Sequence, residues 1–158
     1  MMVATAELVH TIESETTAVK TFIALLEREQ EMLVKGEVDD LIDLVRQKNG
    51  VAAELATLTA ARNQALAAGG LAGDRAGMTT WLDGHPSETA ARAAWSSLLA
   101  AASQARELNR VNGDLIQVRM QHNAQALEAL LGSNASASLY GPDGQSTPPS
   151  GRRISDSA

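Results

Sequence analysis

The sequence predicts an all-α fold: an elongated antiparallel bundle or coiled coil of three long helices, followed by a disordered C-terminal tail. Three observations point there. Ala and Leu are the commonest residues while aromatics make up only 3% of the chain, a composition that favours helices packed closely on small side chains. Apolar residues recur at seven-residue spacing along three separate stretches, which keeps one face of each helix against its neighbours. No stretch carries the β-branched and aromatic alternation of strands. At 158 residues the chain is long enough for one domain with a real core.

The first helix is expected over about 5–35. Ile12, Val19, Leu26 and Leu33 repeat at seven, with Leu8 and Phe22 on a companion frame. Thr5 suits an N-cap, Glu7 the first turn, and Gly36 a C-terminal stop. The second helix should span 38–68, opening among Glu37, Asp39 and Asp40, whose charges favour a helix N-terminus. It continues through Leu41, Val45, Leu55, Leu58 and Leu66 to the Gly69-Gly70 break. So short a connection at Gly36 forces an antiparallel hairpin. Lys48 and Arg62 occupy positions where the frame wants apolar residues. Snorkelling, with the stem packed and the charge in water, is the expected reading, and pairing with acids of the first helix is the alternative.

Residues 69–85 form a glycine-rich linker with a short amphipathic piece, Met78-Thr79-Thr80-Trp81-Leu82, whose Trp81 should cap one end of the bundle. Pro86 then opens the third helix, 86–131, at the position proline tolerates best. Trp95, Ala102, Ile116 and Leu130 lie on one frame of this helix, and Leu98, Ala105 and Ala126 on another. Gly113 inside it costs about 1 kcal/mol relative to alanine and marks close packing or a bend. The helical domain therefore covers 1–131. Residues 132–158, rich in Ser, Gly, Pro, Asn and Ala, cannot build a core and read as a flexible tail.

Charge and composition exclude several functions. The net charge is −6. Residues 1–36 carry six acids against three bases and 37–70 five against three, whereas 86–131 balances four with four. A nucleic-acid binder needs a basic face, and none is available. No apolar run is long enough to insert in a membrane, and the N-terminus lacks a signal peptide's basic and apolar regions. Without cysteine there are no disulfides or thiolate metal sites. A cytoplasmic location is expected. Glu7-Leu8-Val9-His10 has the spacing of a di-metal bundle motif, but His85 and His122 lack the second copy it requires. No P-loop, dinucleotide fingerprint or nucleophile elbow is present. The sequence thus predicts no enzyme, no catalytic or metal residues and no cofactor.

What remains is a polar and apolar seam on the third helix. Asn109, Asn112, Arg119 and Asn123 fall on the same two frames as the apolar residues. Polar groups on a seam cost stability unless bonded, and their usual benefit is fixing register or partner. Each alone could sit at a wet edge; four together indicate a seam partly open to a partner. At about 1.5 Å per residue the third helix measures roughly 70 Å against roughly 46 Å for each hairpin helix. Some 20 Å from about Gln117 onward is then expected to protrude. Met120, Ala124, Leu127, Leu130 and Leu131 would be exposed there.

The order of features resembles the FlgN-type flagellar export chaperones over nearly the whole chain. The resemblance rests on Phe22-Ile23-Ala24-Leu25-Leu26-Glu27-Arg28-Glu29, on Gly36-Glu37-Val38-Asp39-Asp40-Leu41 leading to Lys48, and on Leu55 and Leu58 followed by Arg62. Trp81-Leu82, Trp95 with Leu98-Leu99, Leu108-Asn109 with Asn112-Gly113 and Leu115-Ile116, and Tyr140-Gly141-Pro142-Asp143-Gly144 complete it. The Asn-x-x-Asn-Gly core followed by Tyr-Gly-x-x-Gly is its most specific part. The resemblance implies a cytosolic chaperone that binds the C-terminal segments of hook–filament junction proteins, prevents their premature association and delivers them to the export gate. Client contacts are expected at Asn109, Asn112, Ile116, Arg119, Met120, Asn123, Ala124, Leu127, Leu130 and Leu131. A homodimer through the same strip is expected when no client is present. Tyr140, the only tyrosine of the chain, is expected either to fold back on the last helix or to anchor docking to the gate's cytosolic domain; the resemblance favours docking. The alternative function is a structural coiled-coil scaffold or adaptor with no role in secretion.

Overall fold

The computed structural model describes residues 5–132. Among the described residues there are four helices and no strand: α1 (Thr5–Lys35), α2 (Leu41–Ala68), α3 (Arg75–Gly84) and α4 (Thr89–Leu131). The fold is all-α. Tyr140 and the predicted tail from 133 onward lie outside the described residues. The chain divides into two compact units, Met1–Gly113 and Asp114–Ala158.

In the first unit α1 is the central element. Its seven-residue frame, Ile12, Val19, Leu26 and Leu33, is buried throughout, as is Leu8. Gly36 ends the helix in the left-handed region, at φ 77°, which glycine enters without steric cost. The N–H of Glu37 then donates back to the carbonyl of Met32 at 2.9 Å, closing the last turn. The second helix begins at Leu41, three residues later than the acids alone suggested. Residues 36–40 are spent on a turn in which the Leu41 N–H donates to the Val38 carbonyl at 3.3 Å. Asp40 stands at the N-cap position but makes no side-chain capping bond.

The linker carries a full helix rather than a short piece. Asp74 caps α3, its Oδ1 accepting from the Gly77 N–H at 3.0 Å. Met78, Trp81 and Leu82 point into the core with Leu8, Ile12, Leu66, Ala91 and Trp95. Trp81 is 3% exposed, so α3 closes this end of the hairpin with a large apolar ring. His85 stacks on that ring at 4.2 Å between centroids, and its Nδ1 lies 2.7 Å from the Trp81 carbonyl. Gly77 is required here by space, because a Cβ would lie 1.7 Å from the Ala72 carbonyl oxygen.

Pro86 does not open α4, which starts at Thr89. Residues 86–88 turn instead, with the Glu88 N–H donating to the His85 carbonyl at 3.0 Å. Arg92 ties the new helix to the old by donating from Nη2 to the Leu82 carbonyl at 3.0 Å. From there α4 runs alongside α1 in the same direction: Trp95 lies near the start of α1 and Asn112 reaches Leu26. Gly113 marks neither close packing nor a break. Nothing stands within 4 Å of its would-be Cβ, and the helix continues through it.

Burial is unevenly shared. Ten residues of α1 are buried, against Leu44, Arg62 and Leu66 in the whole of α2. The second helix therefore rests on α1 along one narrow edge and leaves most of its surface outside the core.

Candidate partner-binding surfaces

The register of the first unit is set by charge. Leu8, Glu15, Phe22 and Glu29 share one seven-residue frame of α1, and Leu41, Lys48, Leu55 and Arg62 share one of α2. Glutamates on every second step of the first meet bases on every second step of the second. Arg62 Nη1 donates to Glu15 Oε1 at 2.8 Å and Oε2 at 2.6 Å, and the Thr59 hydroxyl donates to Oε2 at 2.9 Å. Lys48 Nζ donates to the two oxygens of Glu29 at 2.9 and 3.1 Å. Partner numbers fall along one helix as they rise along the other, so the pairs fix α1 and α2 antiparallel.

These contacts correct the snorkelling expectation for Lys48 and Arg62. Arg62 is buried with its glutamate, and its guanidinium lies 4.9 Å from the centroid of Trp95 on α4, a cation–π geometry. Buried charges need partners, and the matching alternation of acids and bases along the two frames was the signal that predicts them.

Asn112 extends the second of these networks to α4. Its Nδ2 donates to the Leu26 carbonyl at 2.8 Å and to Glu29 Oε1 at 2.9 Å, and the residue is 1% exposed. Both amide donors are thus spent inside the first unit, where they fix the register of α4 against α1. Asn109, three residues earlier, is exposed. Glu107 and Arg110 form an exposed pair at 2.7 Å. The guanidinium's hydrogen bond and charge hold the Glu107 carboxyl below its usual range.

Beyond Gly113 the helix changes character. Ile116 is 40% exposed, Met120 61%, Leu127 37%, Leu130 81% and Leu131 44%. Asn123 and Ala124 are exposed and Arg119 is half-buried. Steps of three and four residues from Ile116 through Met120, Asn123, Leu127 and Leu130 place these side chains on one helical stripe. Of the residues expected to meet a partner, those from Ile116 onward except Arg119 are exposed, whereas Asn112 is committed internally. A second apolar set went unread in the sequence: Val34, Val38, Ile42 and Val45 are exposed around the α1–α2 turn. They escape a periodicity search because they straddle a turn.

Among the described residues no three His, Asp or Glu side chains converge as metal ligands, and no helix is long and apolar enough to cross a membrane. The family described as FlgN protein matches residues 1–148. The chain belongs to the FlgN family. It is 30% identical to the flagella synthesis protein FlgN of Yersinia enterocolitica over 146 residues, covering 87% of this chain and 86% of that protein. It is 28% identical to the protein of the same name from Proteus mirabilis over 141 residues, covering 88% of this chain and 89% of that one. No solved structure matches it significantly. The Asn109–Gly113 and Tyr140–Gly144 segments that suggested the family both lie inside the matched span.

Proposed function

We propose that this chain is a flagellar export chaperone that holds a hook–filament junction protein through the exposed apolar stripe of α4. The observation that carries the reading is that stripe, in a member of a family whose relatives are named for flagella synthesis. A row of large apolar groups facing water is a liability unless it binds something. An amphipathic C-terminal segment of the client would lay its apolar face along Ile116, Met120, Leu127, Leu130 and Leu131, as helices do in apolar grooves. Asn109, Arg119, Asn123 and Ala124 would border the contact. Asn112 would serve it indirectly, by holding α4 in register. With no client present, a second copy would cover the stripe.

Delivery requires a contact separate from the client stripe. Tyr140 is assigned to it, because an aromatic ring fills a partner's pocket at modest entropic cost and the flanking Gly141, Pro142 and Gly144 favour a turn that presents it. The domain reading, a helical part over 1–131 and a flexible tail over 132–158, belongs to the same proposal.

The test uses purified full-length chain with a junction protein in one assay and the export gate's cytosolic domain in another. The chain should bind both, and Tyr140→Ala should lose the gate domain while retaining the client. Loss of both would place Tyr140 in the client contact. Failure of the unaltered chain to bind any junction protein would reject the chaperone reading in favour of a scaffold.

A further inference from the structure

The first unit contains a groove that the client stripe does not use. It lies between α2 and α4, with a volume of about 690 Å³. On α2 it runs from Ala52 to Asn63, about 16 Å at 1.5 Å per residue. Its walls are Leu55 and Ala56 on one side and Leu99 and Ala102 on the other. On the α2 side Ala52, Ala56 and Ala60 recur every fourth residue and are exposed, so another helix backbone can approach closely along that line. α2 touches α4 here through Arg62 and Trp95, and the flank of α2 around Ala52, Ala56 and Ala60 stays exposed beside it.

Its charges are one-sided. Glu15 and Arg62 in the floor neutralise each other, and the buried Nε–H of Arg62 has no acceptor. Two further guanidiniums line the groove, Arg75 and Arg106. Both are exposed, and among the described residues neither has an acidic partner. Arg75 belongs to the end near Asn63, since the neighbouring Gly73 approaches the Asn63 carbonyl. The contact of Arg62 with Trp95 puts Arg106, eleven residues further along the antiparallel α4, at the Ala52 end. An apolar trough with a cation at each end therefore stands on a chain whose net charge is −6. A second groove, between α1 and α4, is bordered by Glu13, Lys20, Thr16 and Thr17 and has no such bias.

We propose that the α2–α4 groove docks an acidic amphipathic helix of a partner protein, its apolar face on Leu55 and Leu99 and its carboxylates on Arg75 and Arg106. The occupant carries its acids about three turns apart, the spacing that 16 Å of helix requires. This surface shares no residue with the stripe assigned to the junction protein and stands whether or not that assignment does.

The probes are two synthetic helical peptides with the same leucine face, one bearing glutamates three turns apart and the other lysines at the same positions. Anisotropy titrations of the full-length chain should show the glutamate peptide binding about ten-fold more tightly, with the difference shrinking at high salt. Arg75→Glu with Arg106→Glu should reverse the preference by a similar factor, the scale of two exposed ion pairs turned into repulsions. Ala56→Trp, which fills the trough without changing charge, should weaken the glutamate peptide alike, with circular dichroism verifying that the helices persist. Equal affinity for the two peptides, or no binding of either, would overturn the proposal. So would a concentration-dependent dimer that Ala56→Trp abolishes, since the occupant would then be a second copy.

Discussion

Glu15 and Arg62 are 2% and 9% exposed at their side chains, and each is the other's counter-charge. Taking either out leaves an unpaired charge in a place that water does not reach, a loss of about 3–5 kcal/mol. Removing both and filling the space with hydrocarbon is far milder, because the desolvation cost disappears with the charges. Arg62→Ala should therefore lower urea stability by that amount, and Glu15→Leu with Arg62→Leu should recover most of it. If Arg62→Ala costs under about 1 kcal/mol, the pair behaves as an exposed bridge and does not organise the core. The same logic explains why single-residue reading misjudged it. A lone arginine on a helix face is most often a snorkelling side chain; only the matched spacing of Glu15 and Glu29 against Arg62 and Lys48 identifies two pairs.

At the scale of elements, the helices themselves were legible, since their heptads survive into the buried face of α1. The starts of α2 and α4 were not, although α1 begins at Thr5 as expected. Glu37 and Pro86 both carry helix-opening chemistry, yet the helices begin at Leu41 and Thr89, after turns closed by backbone bonds that no side chain announces. Two of the helical glycines illustrate the same divide. Gly77 and Gly113 look alike in sequence, but a methyl on the first collides with the Ala72 carbonyl and on the second meets open space. Gly77→Ala should cost about 3 kcal/mol through overpacking, while Gly113→Ala should gain about 1 kcal/mol from helix propensity. Thermal unfolding of the two variants beside the parent checks both signs.

For the whole molecule, the contrast that matters is between polar groups turned into the bundle and apolar groups turned out of it. Asn112 gives both amide donors to α1, whereas Met120 and Leu130 on the same helix face water. The sequence showed a seam of mixed character without showing where it turns outward, because seven-residue spacing is identical on a covered and an uncovered helix face. Family membership adds what geometry alone lacks: the class of process in which such an uncovered face is useful. A scaffold and a chaperone remain distinguishable by one property, whether the stripe can be damaged without damaging the fold. Leu127→Glu with Leu130→Glu places two charges on side chains that contribute little to the core. Capture of a junction protein by this double variant, measured beside its thermal unfolding, is the most direct test. The account predicts that capture is lost while the melting temperature barely moves; undiminished capture by a normally folded variant would contradict it.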